Sequence, residues 1–158
     1  MAHGNVADPQ AAGDPMPVVW AEDEPSDQFM IRSALEEFPA APRIRWANDG
    51  EAAVAAAQAQ RPRLIVLDIN MPRVDGIEAL RRIRADPALD DVPVVMFSTA
   101  RRSNEVEECE GLGAAAFVQK PTQFQEFAKA VHHIVGLAQG HRRPTLSAQA
   151  SAAFASDE

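Results

Sequence analysis

Five side chains suited to phosphoryl chemistry follow short apolar runs along the chain. Glu22 and Asp23 come after Val18-Val19-Trp20-Ala21, and Asp68 comes after Leu64-Ile65-Val66-Leu67. Ser98 follows Val94 to Phe97, and Lys120 follows the run that begins at Ala115. Each has an ordinary role when taken alone. An Asp after a strand caps a helix or makes a turn, a lysine is solvated, and an acidic run favours a helix N-terminus. Together they read differently. Three carboxylates in one cleft repel one another unless a cation compensates, and an all-oxygen donor set suits Mg2+, with Mn2+ as a substitute. A lysine and a hydroxyl facing that cation complete a trap for a phosphoryl group, with a carboxylate nucleophile at its centre. Asp68, at the end of the most apolar run, is the candidate nucleophile.

These groups converge only if the runs are neighbouring strands of one sheet. Strands are expected at Val18 to Ala21, Ile44 to Ala47, Leu64 to Leu67, Val94 to Phe97 and Ala115 to Val118. Helices are expected at Asp27 to Phe38, Glu51 to Gln58, Ile77 to Arg84, Asn104 to Gly111 and Phe124 to Leu137. The first is expected to carry Phe29, Met30, Ser33, Ala34 and Phe38 on its apolar side. Asn48 or Asp49 is expected to cap the second. Nearly continuous apolar strands alternating with helices imply a parallel sheet covered on both faces. The fold class is therefore α/β: a flavodoxin-like three-layer sandwich with a five-stranded parallel sheet of order 2-1-3-4-5 and five helices. In that order the first, third, fourth and fifth strands adjoin. Glu22, Asp23, Asp68, Ser98 and Lys120 should then meet at the carboxyl edge, with Asp49 outside the group.

Composition excludes several classes. The 158 residues are 46% hydrophobic and 24% charged, which suits one folded domain. The formal net charge of -8 argues against nucleic-acid and anionic-membrane partners. No apolar run reaches the roughly 18 residues a membrane span requires. A lone cysteine, Cys109, offers neither a disulfide nor a thiolate metal cage, and a cytoplasmic protein is expected. Residues 1–16 read as a flexible leader, 17–137 as the domain and 138–158 as a flexible tail.

The chain resembles the receiver domain of two-component response regulators. The likeness rests on Val-Val-Trp-Ala-Glu22-Asp23-Glu-Pro, Leu-Ile-Val-Leu-Asp68-Ile-Asn-Met-Pro72, Asp75-Gly76, Pro93-Val-Val-Met-Phe-Ser98 and Phe117-Val-Gln-Lys120-Pro121. It implies that Asp68 is the phosphoacceptor, and that Glu22, Asp23, Asp68 and the Asn70 backbone carbonyl bind the metal. Lys120 would pair with the phosphoryl oxygens, Ser98 would be the switch hydroxyl and Phe117 the aromatic switch. Asn70 and Ala100 would tune hydrolysis, and Lys120-Pro121 is where the family keeps a cis peptide bond. The implied partner is a sensor histidine kinase or a phosphotransfer protein. The Glu-Asp-Glu-Pro opening and the connection from Arg84 to Pro93 are similar to single-domain regulators paired with bacterial phytochromes. The fourth helix, fifth strand and fifth helix would form the signalling surface, open to a homodimer mate.

Two other readings stand beside this one. A haloacid-dehalogenase-type phosphatase also uses Asp, Ser/Thr, Lys and Mg2+, but needs a second Asp where this chain has Asn70. It also needs an acidic pair after the lysine, where only Glu126 lies before the tail. A receiver-like scaffold that is never phosphorylated is the third. Elsewhere Trp20, Trp46 and Cys109 read as packing, and Arg81, Arg82 and Arg84 as a solvated face. His132 and His133 read as surface or partner contact, and the Glu105, Glu107, Glu108, Glu110 cluster as a solvated face or a dock for a basic partner.

Overall fold

The computed structural model describes residues 17–99 and 102–138. The expected leader, Ala100 and all of the tail after Ala138 lie outside those residues. The elements run β1 (Val18–Ala21), α1 (Pro25–Glu36), β2 (Ile44–Ala47), α2 (Gly50–Gln60), β3 (Leu64–Leu67) and α3 (Gly76–Arg84). After a short 3-10 turn at Pro87–Leu89 follow β4 (Val94–Ser98), α4 (Ser103–Gly111), β5 (Ala116–Gln119) and α5 (Phe124–Ala138). All strand pairs are parallel and the order is β2-β1-β3-β4-β5, the flavodoxin-like topology.

Strand alternation builds two cores. Val19, Ala21, Ile65, Leu67, Val94 and Met96 join the layer that includes Ala53 and Ala57 of α2, Leu80 and Ile83 of α3, and Cys109 of α4. Val18, Trp20, Leu64, Val66, Val95 and Phe97 join Ile31 and Ala34 of α1 and Phe127, Val131 and Ile134 of α5. Every residue of β1, β3 and β4 is buried, as a sheet covered on both faces demands.

Some local expectations need correction. Phe29 is 69% exposed, because the buried stripe of α1 runs through Ile31 and Ala34. At about 100° per residue, position 29 lies nearly opposite position 31. Trp46, on the edge strand β2, is half-buried, tilted against Trp20 and covered by the Arg32 guanidinium 4.6 Å from its ring. Arg84 is not part of a solvated face; it turns inward and donates to the carbonyls of Leu89, Asp90 and Val92. No cis peptide bond occurs among the described residues, so Lys120-Pro121 is trans, the isomer that X-Pro bonds favour. Asp49 caps α2 by accepting from Ala52 N at 2.7 Å.

Two glycines bring the loop after β3 against its neighbours. A Cβ at Gly76 would lie 2.0 Å from the Asp68 carbonyl oxygen, and one at Gly50 would lie 2.1 Å from that of Val74. Gly76→Ala should therefore destabilise the fold by about 2 kcal/mol or more, as forced overpacking does, read as a lowered denaturation midpoint. Cys109 is fully buried, and burial pushes its thiol up to about 12. At pH 8 it should resist alkylation in the native chain and react within minutes in denaturant; equal rates would contradict its packing.

Candidate functional site

The chemical groups are fixed by hydrogen bonds that carry the parallel ladders one residue past the strands. Glu22 N donates to Ala47 O at 3.0 Å, Asp68 N to Ala21 O at 3.2 Å and Lys120 N to Ser98 O at 2.8 Å. Because all strands point the same way, these extensions leave Glu22, Asp68, Ser98 and Lys120 at one edge. Glu22 is 1% exposed, Asp68 7%, Ser98 0% and Lys120 6%.

Lys120 Nζ stands at the centre. It donates to Glu22 Oε1 at 2.6 Å, Asp27 Oδ2 at 2.7 Å and Asp68 Oδ2 at 2.9 Å. Glu22 Oε2 accepts from Glu24 N, Asp68 Oδ1 accepts from Asn70 N at 3.4 Å, and Gln28 Nε2 holds the Glu22 carbonyl. Burial works to lower the Lys120 pKa, but Asp68, Glu22 and the bonds to Asp27 and Glu22 outweigh it, and the ammonium stays above the ordinary lysine range. Burial, ahead of the pull of Lys120, pushes the Glu22 carboxyl up to about 7. The directions share a cause: one buried ammonium bonds three acids and is too little positive charge to keep them all ionised.

That deficit is what a hard dication would fill. Ligand oxygens of Glu22, Asp27 and Asp68 lie within 4.8 Å of one another and could hold a metal ion. Among the described residues the buried Ser98 Oγ has no hydrogen-bond partner, which fits a hydroxyl reserved for an oxygen that arrives with a ligand.

The structure thus brings together Glu22, Asp68 and Lys120, with Ser98 at the adjoining strand end. Asp23 lies half-buried after β1, outside the three-carboxylate group, and Asn70 is exposed. Asp49 stands apart as expected, bound through Oδ2 to Arg73 Nε at 2.9 Å. Phe117 is fully buried in the α2/α3/α4 layer. Asp27 is the residue that sequence reasoning missed. An acid in the first turn of a helix is so commonly a dipole partner that type and position alone gave no reason to send it to Lys120.

Comparison with known proteins agrees with this geometry. The family profile described as response regulator receiver domain matches residues 18–132. The probable methanogenesis regulatory protein FilR2 of Methanothrix harundinacea is 28% identical over 129 residues, 78% of this chain and 83% of FilR2. Response regulator Rcp1 of Synechocystis is 29% identical over 76% of this chain and 86% of Rcp1. A protein-glutamate methylesterase/protein-glutamine glutaminase of Myxococcus xanthus is 38% identical over 68% of this chain, which spans 30% of that relative's length. The crystal structure of Mn2+-bound Rcp1 superposes with a TM-score of 0.74 at 27% identity, covering 83% of this chain and all of Rcp1. That of the phosphorylated cyanobacterial phytochrome response regulator RcpA gives 0.71 at 27% identity, covering 84% and 99%. With the profile spanning most of the domain and the sheet order, acidic cluster and lysine in agreement, this chain belongs to the response regulator receiver domain family.

Proposed function

We propose that the chain accepts a phosphoryl group from a phosphohistidine on Asp68 and signals by the resulting change in its protein contacts. The observation that carries this reading is the buried meeting of Asp68 with Glu22 and Lys120, with the buried Ser98 hydroxyl, unpartnered among the described residues, on the adjoining strand. Glu22, Asp23, Asp68 and the Asn70 carbonyl would hold Mg2+ or Mn2+. The ion, when bound, would neutralise phosphoryl oxygens and so lower the barrier to transfer. One Asp68 carboxylate oxygen attacks phosphorus in line, the P–N bond to the donor histidine breaks, and its electron pair returns to the imidazole. Lys120 meets the charge on the phosphoryl oxygens, and Ser98 donates its hydroxyl to one of them.

The signalling consequence follows from packing. Lys120 and Ser98 sit at the ends of β5 and β4, so pulling both toward Asp68 strains the surface formed by α4, β5 and α5. Phe117, on β5 opposite Met96 of β4, would be the aromatic switch, and the same surface could take a homodimer mate. Asn70 and Ala100 would tune hydrolysis. The unit is residues 17–137, working in the cytoplasm without nucleic acid or membrane. No helix among the described residues is long and apolar enough to cross a membrane. Receiver domains act with histidine kinases or phosphotransfer proteins; the likeness to Rcp1 and RcpA supports a bacteriophytochrome kinase as donor. The phosphatase reading is not favoured, since position 70 is Asn where a general acid is required.

Acetyl phosphate with Mg2+ should add one phosphate per chain, seen in the intact mass and mapped to Asp68. Asp68→Asn should abolish the addition while keeping the native circular dichroism, and labelling at any other residue would refute the assignment. Lys120→Met should slow labelling by about a hundredfold or more, the cost of removing a charge aimed at the transferring group.

A further inference from the structure

Asp27 takes no part in the family motif quoted above, yet it holds the central cation. It is the third residue of α1, where an acid ordinarily serves the helix's own N-terminal N–H groups. Here its Oδ2 instead accepts from Lys120 Nζ at 2.7 Å. Of the three acceptors, Glu22 and Asp68 have side chains 1% and 10% exposed, while that of Asp27 is 19% exposed. Asp27 is the rim of the cup and the other two its floor.

The lysine has nowhere else to go. Its side chain is 2% exposed, and the Phe97 ring centroid lies 5.9 Å from Nζ. A divalent cation bonded to Glu22 and Asp68 competes with the ammonium for the same two carboxylates and repels it, so their hold on Lys120 weakens. An ammonium displaced from both, enclosed and without an anion, would be strongly disfavoured. We propose that Asp27 is a positioning residue: it keeps the Lys120 ammonium beside Asp68 once Glu22 and Asp68 turn to a divalent cation. It acts through Lys120 and is not itself a metal ligand.

This rests on the reading of the cup as a divalent-cation site, and a double-mutant cycle separates the two claims. Mg2+ binding is measured by calorimetry on the full chain, Asp27→Asn, Lys120→Met and the double variant, with circular dichroism to verify folding. Asp27→Asn should weaken binding about tenfold when Lys120 is present and less than about twofold in Lys120→Met, the coupling expected of contacting residues. Asp27→Glu should restore most of the affinity. Equal losses in both backgrounds would make Asp27 a metal ligand and overturn the proposal, as would no loss in either. A wild-type chain that binds no Mg2+ would instead remove the cation reading itself, and this inference with it.

A spectroscopic readout serves if Lys120→Met does not fold. The chain has two lysines, Lys120 and Lys129, so Lys129→Arg assigns the ammonium signals. At saturating Mg2+ the Lys120 ammonium should stay protected from solvent exchange in the wild type and lose that protection in Asp27→Asn. Unchanged protection would overturn the proposal.

Discussion

One ammonium shared by three carboxylates at the end of an apolar sheet is the constraint around which this molecule is arranged. Burying charge is unfavourable unless every group finds a partner of opposite sign, and among the described residues Lys120 is the cation paired with Glu22, Asp27 and Asp68. The site is therefore held together and yet short of positive charge. Burial pushes the Glu22 carboxyl upward even as the lysine attracts it. A cleft in that condition favours any ligand that brings positive charge to the acids or phosphoryl oxygens to the lysine.

The rest of the fold supplies rigidity for that arrangement. Ladder bonds past the ends of the strands fix the backbones of Glu22, Asp68 and Lys120, so the side chains meet without a long loop to order. The segment after β3 is seated by Gly76 N on Ile69 O, by Gly50 N on Val74 O and by the Asp49–Arg73 pair. Those contacts hold the residues following Asp68 against the core. On the opposite side of α3, Arg81 bonds Glu78 of its own helix and Glu108 of α4 at 3.1 Å, a solvent-screened link between neighbouring helices. The molecule is thus rigid at the sheet edge and more lightly tied at α4.

The differences between expectation and structure share a cause. Helical spacing alone admits several apolar stripes on α1, one of them through Phe29, and contact with α5 selects the one through Ile31 and Ala34. Arg84 looked like its neighbours Arg81 and Arg82, but the turn at Pro87–Leu89 offers it carbonyls to bind. In each case a local pattern was compatible with two environments, and packing against another segment, distant for Phe29 and adjoining for Arg84, chose between them.

By itself the sequence determined the sheet and its order, a helix cap at Asn48 or Asp49 and the strand ends bearing Glu22, Asp68, Ser98 and Lys120. Those features are local: apolar runs of strand length, turn residues after them, and a chirality rule that leaves few topologies. Only the tertiary structure decided that Asp27 joins the lysine while Asp23 stands outside the three-carboxylate group, and that the Ser98 hydroxyl is buried with no partner among the described residues. The reason is geometric. Which carboxylate reaches an ammonium 93 residues away depends on the pitch of α1 against the sheet, to within the length of one hydrogen bond, and nothing in the local spacing encodes that.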